Sequence, residues 1–155
     1  MRIIRFIDDT DTLRFGLESK GYRVEVLNGD LYTGLIPSGE SVTMKKLLAP
    51  ITPSNIYCIG LNYREHAVES GMEPPTQPVV FAKPTSAVCG PGDQIVLPAC
   101  CHEGPEVDYE CELAVVIGKT ARNISQADAL NHVLGYTCAN DISARKWQMN
   151  AGGGQ

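Results

Sequence analysis

The stretch VDYECELAVVI, Val107–Ile117, is the most strand-like segment of this 155-residue chain. Its acidic residues Asp108, Glu110 and Glu112 alternate with other residues, and side chains two apart in a strand share one face, about 6.6–6.8 Å from each other. The remainder, Leu113–Ile117, is apolar at every position, which is typical of a strand buried on both faces. The pattern therefore predicts a row of carboxylates that leads into a buried strand.

A buried row of carboxylates needs a compensating cation, protonation or hydrogen-bond donors. A hard divalent cation with oxygen ligands supplies the charge most directly. Asp141 follows a second apolar stretch, His132–Ala139, and is the best candidate for a further ligand. Two alternatives stay open: the acids are solvated on an exposed edge strand, or Asp141 only caps the turn after its strand.

Other polar residues could act on a substrate. His66 and Glu69 are i, i+3 neighbours on a predicted helix, where a carboxylate beside an imidazole would help it take a proton from water. The alternative is an ordinary surface helix with a solvated histidine. Lys83 ends an apolar strand and could hold an anion, although such a lysine is usually only solvated. Arg145 and Gln148 could bind a carboxylate or simply lie on the surface of a helix.

Composition narrows the class of protein. The 15 Gly and 10 Pro favour many turns and short strands over long helices. A net charge of −5 leaves no basic face for phosphates, so nucleic acid is not an expected partner. No apolar run approaches the about 18 residues that cross a bilayer, so no membrane partner is expected. The N-terminus lacks the pattern of a signal or transit peptide, which favours a cytoplasmic location.

The six cysteines do not indicate a disulfide framework, because no export signal accompanies them. The sequence Cys100-Cys101-His102 could be a soft-metal cluster, although no second cysteine pair lies at zinc-site spacing. Three others lie in apolar stretches and are predicted to be buried thiols: Cys58, Cys111 and Cys138.

Residues 1–52 are predicted to form a small β-rich unit. Asn28-Gly29-Asp30 lies between two short apolar segments, and Asn-Gly favours a hairpin turn because both residues tolerate positive φ. Ser41–Leu48 could be one or two turns of amphipathic helix.

Residues 53–155 are predicted to form a second unit of short strands and turns. A helix is predicted over Asn62–Ser70, with Asn62 as its N-cap and Gly71 just past its end. A second helix is predicted over Ser125–Asn131, with Ser125 as its cap. The predicted strands are Ile56–Ile59, Val79–Ala82, Ile95–Leu97, Val107–Ile117 and His132–Ala139, with a turn at Gly90–Asp93.

Four motifs in order make the chain similar to the fumarylacetoacetate hydrolase family: GLNYREH at 60–66, PVVFAKP at 78–84, DYECELAVVIGK at 108–119 and GYTCANDISAR at 135–145. The resemblance covers about Tyr57 to Gln155. It implies an α+β, mostly β fold, a mixed β-roll of the type found in that family's C-terminal domain. Family members continue past the glycine-rich 152–155 with further strands, so the roll is expected to be incomplete.

The resemblance also implies a metal site. The family's ligands fall on Glu110, Glu112 and Asp141, whereas Asp108 is not carried over as a ligand. Mg²⁺ is the expected ion, with Mn²⁺ or Ca²⁺ as alternatives. Members are usually homodimers that act on small keto acids.

The family's His–Glu dyad falls on His66 and Glu69, and Lys83 matches a lysine that lines the site. The implied reaction is hydrolysis of a carbon–carbon bond in an acylpyruvate or fumarylpyruvate-like acid. Three alternatives stay open: decarboxylation of an oxaloacetate-type acid, isomerisation of a keto acid at the same metal, and an inactive, truncated fragment.

Overall fold

The computed structural model describes residues 1–18, 20–101 and 106–148. The chain separates into two compact units, each of which is described by itself. The first comprises Met1–Leu27 and Pro37–Asp93, and the second comprises Asn28–Ile36 and Gln94–Gln155. No helix in the described residues is long and apolar enough to span a membrane.

A four-stranded antiparallel barrel forms the beginning of the chain. β1 pairs with β2 on one side, where Phe6 faces Arg14, and with β4 on the other, where Phe6 faces Leu47. The core contains the fully buried Phe6, Val24 and Val26. The strands are β1 (Ile3–Asp8), β2 (Leu13–Leu17), β3 (Arg23–Asp30) and β4 (Gly34–Leu47), which close in that order.

A buried aspartate organises the turn between β1 and β2. Asp8 Oδ1 accepts hydrogen bonds from the hydroxyl and amide of Thr10, at 2.7 and 2.9 Å, and from the amide of Thr12 at 2.9 Å. Arg14 Nε donates to Oδ2 at 3.1 Å. The Thr10 hydroxyl, followed by Thr12 and Arg14, lowers the pKa of Asp8 to about 2, against the opposing effect of burial.

Two predictions for this region were wrong. Asn28–Asp30 ends β3, and the turn lies at 31–33, where Asp30 Oδ1 accepts from the amides of Tyr32 and Thr33 at 2.9 and 3.1 Å. Ser41–Leu47 belongs to β4 because pairing with β1 closes the barrel, a tertiary interaction that overrides a weak helical pattern.

The rest of the first unit is a two-stranded antiparallel sheet with a short helix between its strands. β5 (Ile56–Gly60) pairs with β6 (Val79–Lys83), so both predicted strands are confirmed. Helix α1 (Arg64–Glu69) begins after Tyr63, and not at the predicted cap Asn62, because Leu61 turns the chain with φ of 50°. Gly71 follows the helix with φ of 64°, as predicted.

In the second unit, the described residues after 94 form four strands in two antiparallel pairs. The stretch Val107–Ile117 divides at 109–110 into β7 (Val107–Asp108) and β8 (Cys111–Ile117). β8 pairs with β9 (Val133–Asn140), whereas β7 pairs with β10 (Ser143–Ala144), so one continuous strand was the wrong prediction. The mostly β, α+β composition of the fold is confirmed.

Two further predictions for this unit have opposite outcomes. The helix after Ser125 is of the 3₁₀ type, Gln126–His132, and Ser125 Oγ caps it by accepting from the Asp128 amide at 3.2 Å. Ile95–Leu97 forms no strand.

One face of the β8–β9 sheet is exposed, although burial of both faces was predicted. Leu113 is 59% exposed and Tyr136 is 58% exposed, and Val115 and Ile117 lie on the same face. The Cys111 and Cys138 thiols are also exposed and Cys58 is half-buried, so their predicted burial was wrong.

Cys101 is the buried cysteine of the described residues. Burial, followed by hydrogen bonds with Glu106 and Cys100, raises the pKa of its thiol to about 11. His102, the third residue of the predicted soft-metal cluster, lies outside the described residues.

Candidate metal centre

The backbone positions of the three candidate ligands lie near one end of the β8–β9 sheet. The Asp141 amide donates to the Glu110 carbonyl at 2.9 Å, which continues the ladder that pairs Cys111 with Asn140. Directly opposed residues of such a ladder have Cβ atoms about 4.5–5.5 Å apart. Glu112 lies two residues along from Glu110, on the same face. The backbone therefore brings together the three ligands expected from the resemblance.

The burial pattern agrees with this placement. Glu110, Glu112 and Asp141 are each half-buried, while Cys111 and Leu113 on the other face are exposed. Glu110 and Glu112 are thus partly shielded from solvent, whereas Asp108, the first acid of the motif, is 53% exposed. Three hard carboxylate donors on one face suit a divalent cation with oxygen ligands.

The side chains are not yet arranged around a common point. Within residues 1–18, 20–101 and 106–148, no three His, Cys, Asp or Glu side chains converge closely enough to hold a metal ion. In this arrangement Arg145 Nη1 donates to Glu110 Oε1 at 2.5 Å. The donor chemistry and the strand register thus fit a divalent cation, whereas the present orientation of Glu110 does not.

Arg145 is the centre of the polar network at this end of the sheet. Its Nε and Nη2 lie 3.4 Å from Asp108 Oδ2, and its Nη1 also donates to Gln148 Oε1 at 3.0 Å. The sequence left open whether Arg145 and Gln148 bind a carboxylate or only lie on the surface of a helix, and in the structure the two side chains are in contact. It did not predict the pairing with Asp108, which lies on β7, before the chain divides at 109–110.

Two further residues position this network. Asn140 Oδ1 accepts from the Glu110 amide at 3.1 Å, which fixes the chain where β7 and β8 divide. Glu106 is buried, and its carbonyl accepts from the Arg145 amide at 2.7 Å while Lys146 pairs with its carboxylate at 3.2 Å. For Asn140, the dipeptide Asn140-Asp141 was a signal in the sequence. For Glu106, nothing in the local sequence indicated its role.

The expected dyad lies in the first unit. His66 and Glu69 are both exposed on α1, whose one buried residue among those described is Ala67. In that part of the chain no hydrogen bond joins the two side chains. Their spacing on the helix still allows them to meet after a change of rotamer.

Lys83 also lies in the first unit, at the end of β6. Its Nζ is 5.6 Å from the centre of the Phe81 ring, a distance suited to a cation–π interaction. It lines an open hollow of about 330 Å³ together with residues that include Asn55, Tyr57, Thr85 and Ser86. A cationic and hydroxyl-bearing wall of this kind suits a small anion.

Comparison with known proteins identifies the family of this arrangement. Residues 55–155 match the model of the fumarylacetoacetate (FAA) hydrolase C-terminal domain. The chain belongs to the fumarylacetoacetate hydrolase family. The matched segment includes the carboxylates of the candidate metal centre together with His66 and Lys83.

One of the curated relatives is named as an enzyme that acts on a keto acid. This chain is 51% identical over 110 residues to a protein of Xenopus laevis named oxaloacetate tautomerase fahd2, mitochondrial. That match covers 70% of this chain and 34% of the relative. The chain thus spans about a third of the length of the curated relatives that it matches.

Solved structures of the family confirm the expected fold class. A 2-hydroxyhepta-2,4-diene-1,7-dioate isomerase from Mycobacterium marinum superposes with a TM-score of 0.79 at 33% identity, over 98% of this chain and 58% of that protein. A maleylpyruvate hydrolase from Sphingobium, in complex with manganese and pyruvate, superposes with a TM-score of 0.65 at 28% identity, over 94% of this chain and 60% of that protein. The family therefore includes isomerases and hydrolases as well as tautomerases.

Proposed function

We propose that this chain carries the metal-binding part of a divalent-cation-dependent enzyme that acts on a small 2-oxo acid through its enol or enolate. The observation that carries the proposal is the register that places Glu110, Glu112 and Asp141 on one face at the end of β8–β9. We further propose that residues 53–155 form the N-terminal part of the catalytic domain.

The candidate ligands are Glu110, Glu112 and Asp141, with Mg²⁺ as the first ion to test and Mn²⁺ or Ca²⁺ as alternatives. A divalent cation supplies Lewis-acid charge, which lowers the free energy of an enolate. The manganese and pyruvate held by the Sphingobium hydrolase support this choice of ion and substrate class.

Two neighbouring side chains are suited to the substrate's carboxylate. Arg145 presents a planar guanidinium, which binds carboxylates in a forked geometry, and Gln148 lies 3.0 Å from it. Lys83 is proposed to offset negative charge on the substrate or the enolate. His66 is proposed as the proton carrier, with Glu69 setting its tautomer and raising its basicity.

The first candidate reaction is interconversion of the keto and enol forms of oxaloacetate. It needs only a proton moved between carbon and oxygen, and the 51% identity to the Xenopus tautomerase favours it. Decarboxylation of the same acid would break the bond to the distal carboxylate and proceed through the enolate of pyruvate, and it is tested in the same assay.

The second candidate is hydrolysis of a carbon–carbon bond in an acylpyruvate. His66 would take a proton from water, the hydroxyl oxygen would bond to the distal carbonyl carbon, and the bond to the pyruvyl carbon would break to leave an enolate. The Sphingobium maleylpyruvate hydrolase favours this reaction.

The test presents oxaloacetate and an acylpyruvate separately to the 155-residue chain with Mn²⁺. Decay of enol absorbance reports tautomerisation, released CO₂ reports decarboxylation, and released pyruvate reports hydrolysis. If His66 is the base, His66→Ala lowers the observed rate about 10²–10⁴-fold without changing Mn²⁺ affinity. An unchanged rate would remove His66 from the proposal, and the absence of all three reactions in a chain that binds Mn²⁺ would favour the inactive fragment.

A further inference from the structure

Arg145 forms an ion pair with Glu110, a carboxylate that is expected to be a metal ligand. Arg145 Nη1 lies 2.5 Å from Glu110 Oε1, and the two side chains are 33% and 19% exposed. A charge-assisted hydrogen bond in a partly buried setting is stronger than an exposed ion pair. Glu110 is therefore held by a cation of the chain itself.

The backbone makes this pair a built feature. The Arg145 amide donates to the Glu106 carbonyl, directly after β10 pairs Ser143 with Asp108. On the opposite side, the Asn140 side chain accepts from the Glu110 amide. The main chains of both residues are thus held by hydrogen bonds within one unit. These hydrogen bonds bring the guanidinium and the carboxylate close together.

Asp108 gives the guanidinium a second anionic partner. Arg145 Nε and Nη2 face Asp108 Oδ2 at 3.4 Å, on a different edge of the guanidinium from the Nη1 that serves Glu110. Asp108 is 53% exposed, so this contact is the weaker of the two. Arg145 could give up Glu110 and remain attached at the site through Asp108 and Gln148.

We propose that Arg145 is an internal counter-ion of the metal site, which pairs with Glu110 until a divalent cation displaces it onto Asp108 and Gln148. The inference rests on the proposed function, since it takes Glu110 as a ligand. A guanidinium and a divalent cation repel each other, so Glu110 binds a cation more weakly while Arg145 is paired with it. Cation binding would then release Arg145 Nη1 from Glu110 for the carboxylate of the keto acid, while Nε and Nη2 stay with Asp108, so the cation would bind before the substrate.

The primary test is calorimetric titration of the 155-residue chain with Mn²⁺ alone. Arg145→Gln removes the competitor and is expected to raise Mn²⁺ affinity about 3- to 30-fold. Arg122→Gln removes the same charge from an exposed position of the same unit and is expected to leave the affinity unchanged. Thermal melting of each variant checks that it folds. Arg145→Lys, which keeps the charge but not the forked geometry, serves as a second variant and is expected to give an intermediate affinity.

A substitution of Asp108 tests whether Arg145 moves from Glu110 to Asp108 when the cation binds. The alternative is that the charges near the site act only through their overall electrostatic potential. Asp108→Asn leaves Arg145 with Glu110 and is expected to lower Mn²⁺ affinity about 2- to 5-fold. In the Arg145→Gln background the same change is expected to have a smaller effect, because there is no guanidinium left to hold. An equal effect in both backgrounds would contradict the exchange.

The two proposals fail in different ways. If wild-type chain binds Mn²⁺ and Glu112→Gln weakens that binding, but both Arg145 variants bind as wild type or more weakly, the counter-ion is refuted and the metal site stands. If neither wild type nor any Arg145 variant binds Mn²⁺, both proposals are refuted.

Discussion

The barrel β1–β4 and the sheet β8–β9 bury their apolar side chains to different extents. The barrel closes on itself, so Phe6, Val24 and Val26 are fully buried by strands of the same short segment. The β8–β9 sheet has two strands, and its apolar face, with Leu113 at 59% and Tyr136 at 58% exposed, lies open. Closure removes strand edges, whereas two paired strands alone are only marginally stable.

This comparison indicates that the candidate function depends on the local structure of the β8–β9 sheet. The carboxylates lie on the less exposed face of the open sheet, and their arrangement follows from strand register and from the Arg145 network. The barrel contributes stability of its own. Stability of the barrel and metal binding at the sheet should therefore respond to different substitutions.

The largest contrast is expected from equivalent truncations in the two regions. Phe6→Ala should destabilise the barrel by about 3–5 kcal/mol, because it removes a fully buried ring and leaves a cavity. Leu113→Ala should cost less than about 1 kcal/mol, because that side chain is already largely in water. Urea unfolding measures both values. Similar losses would mean that the face of β8 is covered in solution.

Replacing a glycine by alanine should change the free energy of unfolding differently in the two regions. Gly29 has φ of 112°, and a Cβ there would lie only 2.3 Å from the Gly34 carbonyl oxygen. Gly29→Ala should therefore cost about 1–3 kcal/mol. Gly135, on β9, has open space and no positive φ, so Gly135→Ala should be neutral or stabilise by up to about 1 kcal/mol. Equal effects in urea unfolding would contradict the close turn of the barrel.

Acid should act on the barrel through Asp8. Its pKa of about 2 lies below the ordinary value of 3.8, so the folded state favours the ionised form. The resulting stability is present above about pH 4 and is lost as pH falls towards about 2. The difference in unfolding midpoint between wild type and Asp8→Asn should shrink over that range. If the difference between the two midpoints does not change with pH, the ionised Asp8 carboxylate is not the source of the added stability.

The smallest effect is expected at the cap of the 3₁₀ helix. Ser125→Ala removes the acceptor of the Asp128 amide and should destabilise the second unit by about 0.5–1 kcal/mol. Ser125→Thr keeps both the acceptor and the hydroxyl that donates to Asp128 Oδ2 at 2.6 Å, and provides the matched control. Hydrogen exchange at the Asp128 amide is a direct readout, and unchanged protection in Ser125→Ala would rule out the cap.

Local signals predicted the elements that local chemistry decides. β5, β6 and β9 are short apolar runs between turns, Gly71 takes the positive φ that follows a helix, and Ser125 is a standard cap. The register of Glu110 with Asp141 also agrees with one apolar strand that begins at acidic residues and a second that is followed by one, since these ends adjoin in an antiparallel pair.

Elements decided by distant partners could not be predicted in this way. Ser41–Leu47 is a strand because β1 needs a second neighbour, and the stretch around Glu110 divides because β7 and β8 have different partners. The pairing of Arg145 with Asp108 and Glu110 spans 35 or more residues along the chain, and no motif spacing indicates it. His66, Glu69 and Lys83 stay predictions from the resemblance.

The central claim is that Glu110, Glu112 and Asp141 bind one divalent cation. Mn²⁺ titration of wild type, Glu112→Gln and the exposed-residue control Glu73→Gln tests it most directly. The account predicts that wild type and Glu73→Gln bind one Mn²⁺ equally, and that Glu112→Gln binds at least about 10–100-fold more weakly, the range for residues that support a metal site. Equal affinity of all three proteins, or no binding by wild type and the Arg145 variants alike, would contradict it.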